Sequence, residues 1–216
     1  MQKMDLSGKQ NHYLTRLGIT EETQALFYGT YKVDTGSGGI YFEYGDAVVE
    51  QYNLGFHLIP SVPAFWKAGE LETNIVSKII IGSSALDIIS YFSRKLNNYS
   101  DSTSLMFLST GTRLYDAHLD LIRSFGKKEI ILIFDNTFLG RISDIKVAAA
   151  LMNLPIQFKV IAEEVIVKFK DKSISFDSLD FSLNAFRKEF NIRTPFLKTQ
   201  KSKGLSFLQD QLNSLF

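Results

Sequence analysis

The mainly apolar run "EIILIF" ends at Phe134 and is followed by Asp135, Asn136 and Thr137. The side chains of these three polar residues are the best placed in the sequence for chemistry. A carboxylate beside other oxygen-bearing side chains is the kind of ligand that a hard cation such as Mg²⁺ requires. A second acid two residues after Asp135 would complete a metal site for phosphoryl transfer, but that position holds Thr137. The sequence therefore offers one carboxylate with hydroxyl and amide groups, which provides little negative charge for binding Mg²⁺.

Two other polar segments follow apolar runs, "GSSALD" at 82–87 and "STGT" at 109–112. Because ligands of open parallel sheets lie beyond the carboxyl ends of the strands, we expect these segments to lie near Asp135. Asp87 would then be a second acid, with Arg141 as its expected counter-charge. Gly111 and Thr112 present backbone N–H groups to a phosphate or simply form a tight turn, and the turn is the preferred interpretation.

From about Val76 onward, the sequence pattern predicts strands that alternate with helices, and the polar residues described above follow these strands. Apolar strands are predicted near 77–82, 104–109, 129–134 and 156–161, with amphipathic helices between them, which is typical of a parallel sheet covered on both faces. Two short helices and a hairpin turning at Gly45-Asp46 precede them, with Thr20 as the N-cap of the second helix. A second hairpin and two helices follow. The predicted class is α/β, a parallel sheet sandwiched by helices with a small N-terminal α+β subdomain, divided as 1–73, 74–162 and 163–216.

The three strand ends, read together, resemble the Toprim domain of bacterial primases and topoisomerases. The matching positions are Asp87, Gly111, Thr112, Asp135, Asn136, Gly140 and Arg141. Upstream, "YLTRLGITEETQALFYG" is similar to the motif near the start of the primase catalytic core. The resemblance covers about residues 10 to 160 and implies a Toprim-like sheet.

The resemblance also implies where chemistry is lost. The family glutamate falls on Ser83 and the second aspartate falls on Thr137, so Asp135 alone remains, and one carboxylate with hydroxyls holds Mg²⁺ poorly. The expectation is a catalytically inactive protein without a cofactor. Two alternatives stay open: an active nucleotidyltransferase or nuclease that binds Mg²⁺ or Mn²⁺ at Asp135 with help from Asp87 or Asp144, and an interaction protein without a nucleic-acid role.

A basic stretch late in the chain offers a different function. Residues 185–203 contain 6 basic residues and 1 acidic residue, interleaved with Phe186, Phe190 and Phe196. Cations bind phosphates and aromatic rings stack on unpaired bases, so the stretch is a candidate site for single-stranded nucleic acid. The alternative is a solvated helix face whose phenylalanines belong to the core. The candidate binding residues are Arg187, Lys188, Arg193, Lys198, Lys201 and Lys203.

The amino-acid composition excludes several further kinds of functional site. The 216 residues carry a net charge of +1 and no cysteine, which excludes thiol nucleophiles and cysteine-ligated metals, including the zinc ribbon of primases. No apolar run is long enough to span a bilayer, and the first residues lack the apolar core of a signal peptide. A cytoplasmic protein without a membrane partner is expected. The resemblance adds replication or mobilisation proteins of a mobile element as partners, and the sequence leaves the oligomeric state open.

Overall fold

The computed structural model describes residues 11–46, 48–99 and 101–215. The first part of the chain forms α1 (His12–Arg16), α2 (Glu21–Leu26), β1 (Lys32–Val33), β2 (Ile40–Glu43), β3 (Val49–Asn53), β4 (Phe56–Leu58) and β5 (Trp66–Gly69). The middle forms β6 (Lys78–Gly82), α3 (Ala85–Lys95), a 3₁₀ turn (Leu96–Asn98), β7 (Leu105–Ser109), α4 (Asp116–Ser124), β8 (Glu129–Leu132) and α5 (Phe138–Leu151). The last part forms β9 (Ile156–Ile161), β10 (Glu164–Phe169), β11 (Lys172–Asp177), α6 (Leu183–Glu189), β12 (Leu197–Thr199) and α7 (Phe207–Asn213).

The N-terminal elements follow the local signals of the sequence. Thr20 caps α2 by accepting a hydrogen bond from the backbone N–H of Thr23, as predicted. The predicted hairpin is also present, because β2 and β3 pair antiparallel on either side of Gly45-Asp46. Gly45 has a φ of +64°, which a glycine adopts without strain. Strands β1 to β4 form one antiparallel sheet.

A mixed five-stranded sheet occupies the centre, in the order β12-β8-β6-β7-β5. Strands β6, β7, β8 and β12 run parallel and β5 pairs antiparallel with β7. Side chains of β6 alternate between the two faces, with Ile79 and Ile81 in one hydrophobic cluster and Ile80 in the other. Both faces are therefore buried, which explains why the central strands are continuously apolar. The parallel strands predicted near 77–82, 104–109 and 129–134 are confirmed.

The prediction that residues 156–161 form a fourth parallel strand of this sheet is wrong. This segment forms β9, which pairs antiparallel with β10 in a separate three-stranded sheet, β11-β10-β9. Gln157 and Lys159 are exposed on β9, whereas a central parallel strand must bury both faces. The fourth parallel strand is β12, a three-residue segment on the edge of the sheet. The mixed α/β class is confirmed, with seven α-helices among the described residues.

The proposed division at residues 73 and 162 stays a prediction. Strand β5 comes from the N-terminal part and β12 from the C-terminal part, yet both pair with strands of the central sheet. In the part of the chain that the structure describes, no helix is both long and apolar enough to span a membrane.

Candidate functional site

The ends of β6 and β8 bring Ser83 and Asp135 together. The two strands are neighbours and parallel, so the residues that follow them meet at one edge of the sheet. The Ser83 hydroxyl donates a hydrogen bond of 3.1 Å to Asp135 Oδ1. Burial raises the pKa of Asp135, and the hydrogen bond from Ser83 opposes that shift. Ser83, at the position where the resemblance would place an acid, therefore acts as a hydrogen-bond donor to Asp135.

Thr137 also has a structural role. It is the N-cap of α5, and its hydroxyl accepts a 3.2 Å hydrogen bond from the backbone N–H of Gly140. Gly140 is required by close packing, because a Cβ at this position would lie 2.0 Å from the carbonyl oxygen of Asp135. The first turn of α5 thus rests on the backbone that carries Asp135. This contact explains the spacing from Asp135 to Gly140 in structural terms.

Gly111 and Thr112 form a tight turn against a neighbouring loop. Gly111 has a φ of +74°, and a Cβ there would lie 2.3 Å from the carbonyl oxygen of Pro60. The same carbonyl accepts a 2.8 Å hydrogen bond from the N–H of Thr112. Because that N–H already has an acceptor, the geometry favours the turn over the phosphate-binding alternative.

Asp87 does not pair with Arg141, so that prediction is wrong. Its Oδ1 accepts a 2.6 Å hydrogen bond from the backbone N–H of Leu208, at the start of α7, while its Oδ2 has no hydrogen-bond partner. Burial raises the pKa of Asp87 to about 7; the Leu208 hydrogen bond opposes this and the charge of Asp135 adds to it. Arg141 lies on α5 and donates to the carbonyl of Leu179 at 2.7 Å. The side chains point to different segments.

Asp144 is a buried acid with its own cation. Its Oδ2 lies 2.7 Å from Lys201 Nζ, and burial raises its pKa to about 6 although Lys201 opposes the shift. Lys201 also donates to the carbonyls of Phe134 at 2.9 Å and Asp135 at 3.3 Å. All three N–H bonds of this ammonium group thus have an acceptor within the protein.

Glu50 is the residue that the sequence analysis missed. It is fully buried on β3, and its carboxylate accepts five hydrogen bonds around the N-terminus of α3. The donors are Tyr44 OH at 2.6 Å, Ser84 Oγ at 2.6 Å, Ala85 N at 2.7 Å, His57 Nε2 at 2.8 Å and Leu86 N at 3.2 Å. A negative charge is favoured at a helix N-terminus. The missed signal was an acid in an alternating strand, on the same face as the apolar positions of the hairpin.

The acids of this region do not combine into a metal site. Asp87 faces α7, Asp144 faces Lys201, and Glu50 faces α3, so neither Asp87 nor Asp144 joins Asp135 as a ligand. Among the described residues, no group of three or more histidine, aspartate or glutamate side chains is arranged to hold a metal ion.

The basic stretch divides into two kinds of residue. Arg187 donates to the hydroxyl of Thr194 and to the carbonyl of Leu197, Lys198 pairs with Glu129 at 2.7 Å, and Lys201 is held as described above. Phe186 and Phe190 lie in the core. Half of the predicted binding residues therefore have structural contacts, although Lys198 is itself exposed. The exposed members that form no salt bridge among the described residues are Lys188, Arg193 and Lys203.

Comparison with known proteins gives no relative for this arrangement. No family model, no curated protein and no solved structure matches the chain.

Proposed function

We propose that this chain is a primase-like Toprim protein that lacks metal-dependent phosphoryl transfer and serves as an accessory, nucleic-acid-binding component in replication or mobilisation of a mobile element. The main support for the proposal is that the hydroxyl groups of Ser83 and Thr137 form hydrogen bonds within the protein. One hydroxyl donates to Asp135 and the other caps α5, so both positions have become part of the structure.

The active-enzyme alternative requires Asp87 or Asp144 to act beside Asp135. Asp87 accepts from the N-terminus of α7, and Asp144 forms an ion pair with Lys201. Recruiting either one would break a buried contact, and breaking a buried ion pair typically costs about 3–5 kcal/mol. This cost favours the inactive scaffold.

We expect the purified protein to synthesise no primers and to cleave no DNA with Mg²⁺ or Mn²⁺, because one carboxylate with hydroxyl groups holds the metal poorly. The double variant Ser83→Glu/Thr137→Asp should bind Mn²⁺ at least tenfold more tightly than the wild type, since it adds two carboxylates beside Asp135. Aspartate also serves as an N-cap, so α5 is retained.

Mn²⁺ binding can be measured by paramagnetic relaxation of water protons, with primer synthesis and cleavage assayed on the same samples. Thr137→Ser is the matched control, because it keeps the cap and adds no charge. Wild-type activity that disappears in Asp135→Asn would overturn the inactive assignment.

We expect nucleic-acid binding to be weak, independent of sequence and sensitive to salt. Three exposed cations, Lys188, Arg193 and Lys203, are available for phosphates. Three contacts on a single strand give a slope of log affinity against log salt of about −2, since each contributes roughly −0.7. Replacing the three by glutamine should bring the slope close to zero, as measured by fluorescence anisotropy with labelled single-stranded DNA.

The control for this test replaces Lys159, Lys168 and Lys172 by glutamine, which removes the same charge from exposed positions on the three-stranded sheet. This control should keep the wild-type slope. Absence of binding at low salt would favour an interaction protein, whereas loss of binding only in Arg141→Ala would move the binding site to the loop before α6.

A further inference from the structure

A cavity of about 360 Å³ lies beyond the ends of β6, β7 and β8. Its volume is in the range of small-molecule sites, and its position is where open α/β sheets bind ligands. The walls are mainly apolar, formed by Ile59, Leu114, Phe134, Phe138 and Leu139. The polar lining consists of Asp135 and several hydroxyl groups. The shape and lining are those of a pocket for a small organic molecule.

The charge on the lining of this cavity is negative. Among the described residues that line it, Asp135 is the one with a charged side chain, and no lysine, arginine or histidine joins it. Lys201 lies behind Asp135, with its ammonium group bound to Asp144 and to backbone carbonyls. Lys201 and His57 lie close enough to favour the charged form of Asp135, but neither lines the cavity. The side chain hydrogen-bonded to the carboxylate is the neutral Ser83, so the carboxylate can still pair with a cationic ligand.

Four of the five hydroxyl groups of the lining donate their protons to the protein; the fifth, Thr137, accepts from the N–H of Gly140. Ser83 donates to Asp135, Thr110 to the carbonyl of Gly111, Thr112 to that of Pro60, and Ser143 to that of Leu139. What these side chains turn to the cavity is therefore oxygen lone pairs. A ligand that binds here must therefore supply most of the hydrogen-bond donors itself.

We infer that this cavity binds a small organic cation with an apolar body, such as a protonated amine or an amidinium. The cation pairs with Asp135, its N–H groups donate to the hydroxyl oxygens, and its body packs against Phe138 and Leu139. Such binding goes beyond the proposed function, because it needs neither a nucleic acid nor a metal.

The main competing occupant is an anion at the N-terminus of α5. That end of the helix carries a partial charge of about +0.5, which attracts anions. Thr137 already caps it, and the full negative charge of Asp135 lies two residues away. The net field in the cavity therefore favours a cation.

The test uses benzamidine, benzamide and benzoate, which share a ring and differ in charge. Titrations are followed by ¹H–¹⁵N NMR at the amides of Gly111, Leu139 and Gly140. Benzamidine should bind with an affinity at least tenfold above that of benzamide, benzoate should not bind, and Asp135→Asn should weaken benzamidine at least tenfold. Asp120→Asn, an exposed charge removal on α4, should bind benzamidine like the wild type.

Three results would overturn the inference: equal or tighter binding of benzoate or benzamide, unchanged benzamidine affinity in Asp135→Asn, or no benzamidine binding up to about 10 mM. Because the comparison of the three ligands is made on the wild type, it remains decisive if Asp135→Asn does not fold. Absence of DNA binding by the wild type at low salt would count against the proposed function and leave this result unchanged.

Discussion

Glu50→Ala is expected to destabilise the protein by about 3–5 kcal/mol. The substitution removes a buried carboxylate and leaves five donors facing an apolar methyl group. Two of these donors are backbone N–H groups in the first turn of α3, and an unsatisfied buried donor typically costs about 1–3 kcal/mol. Urea unfolding followed by circular dichroism measures the change in the free energy of unfolding.

Glu43→Ala is the matched control. Glu43 lies on the adjacent strand β2, is exposed and pairs with Lys32, so its loss should change stability by about 0.5 kcal/mol or less. Glu50→Gln keeps the side-chain volume and one acceptor oxygen and should fall between the two. A loss of less than about 1 kcal/mol in Glu50→Ala would contradict a structural role for this carboxylate.

Asp87→Asn is expected to reduce the pH dependence of stability between pH 4 and pH 8. The pKa of Asp87 is raised to about 7 in the folded protein, above its usual value of 3.8. Between these two values the folded state holds a proton that the unfolded chain has released, so the stability of the wild type falls as the pH rises. Asp144, with a pKa of about 6, and Asp135 act in the same direction.

As the pH rises, the free energy of unfolding of the wild type should fall by on the order of 2–4 kcal/mol more than that of Asp87→Asn. The asparagine keeps an oxygen for the N–H of Leu208 and removes the charge on the unpartnered Oδ2. At pH 8 the variant should therefore be at least as stable as the wild type. Urea unfolding at pH 5, 6, 7 and 8 provides the measurement.

Asp101→Asn is the control for charge removal. Asp101 is exposed, and hydrogen bonds from Thr103 lower its pKa, so its small contribution to the pH dependence has the opposite sign. Stability that rises from pH 5 to pH 8 in the wild type would contradict the raised pKa of the buried Asp87.

The pattern of apolar residues along the chain was sufficient to predict three strands of the central sheet. The apolar runs that became β6, β7 and β8 were recognisable because a strand buried on both faces must be apolar throughout. The position of Asp135 beside Ser83 followed, since the ends of adjacent parallel strands meet at one edge. The failure at β9 came from the same criterion, because its alternating Gln157 and Lys159 are typical of a half-exposed antiparallel strand.

The hydrogen-bond donors of the buried acids could not be predicted from local sequence. Glu50 accepts from Ala85, 35 residues away, and Asp87 accepts from Leu208, 121 residues away. Such pairs depend on how distant segments pack, and no periodicity within either segment records the partner. The order of residues was enough to show that Asp135 follows a central strand with Thr137, and not a second acid, two residues later. Packing determined that the nearby acids face inward to α3, α7 and Lys201, because a buried carboxylate is stable only where donors or a cation surround it.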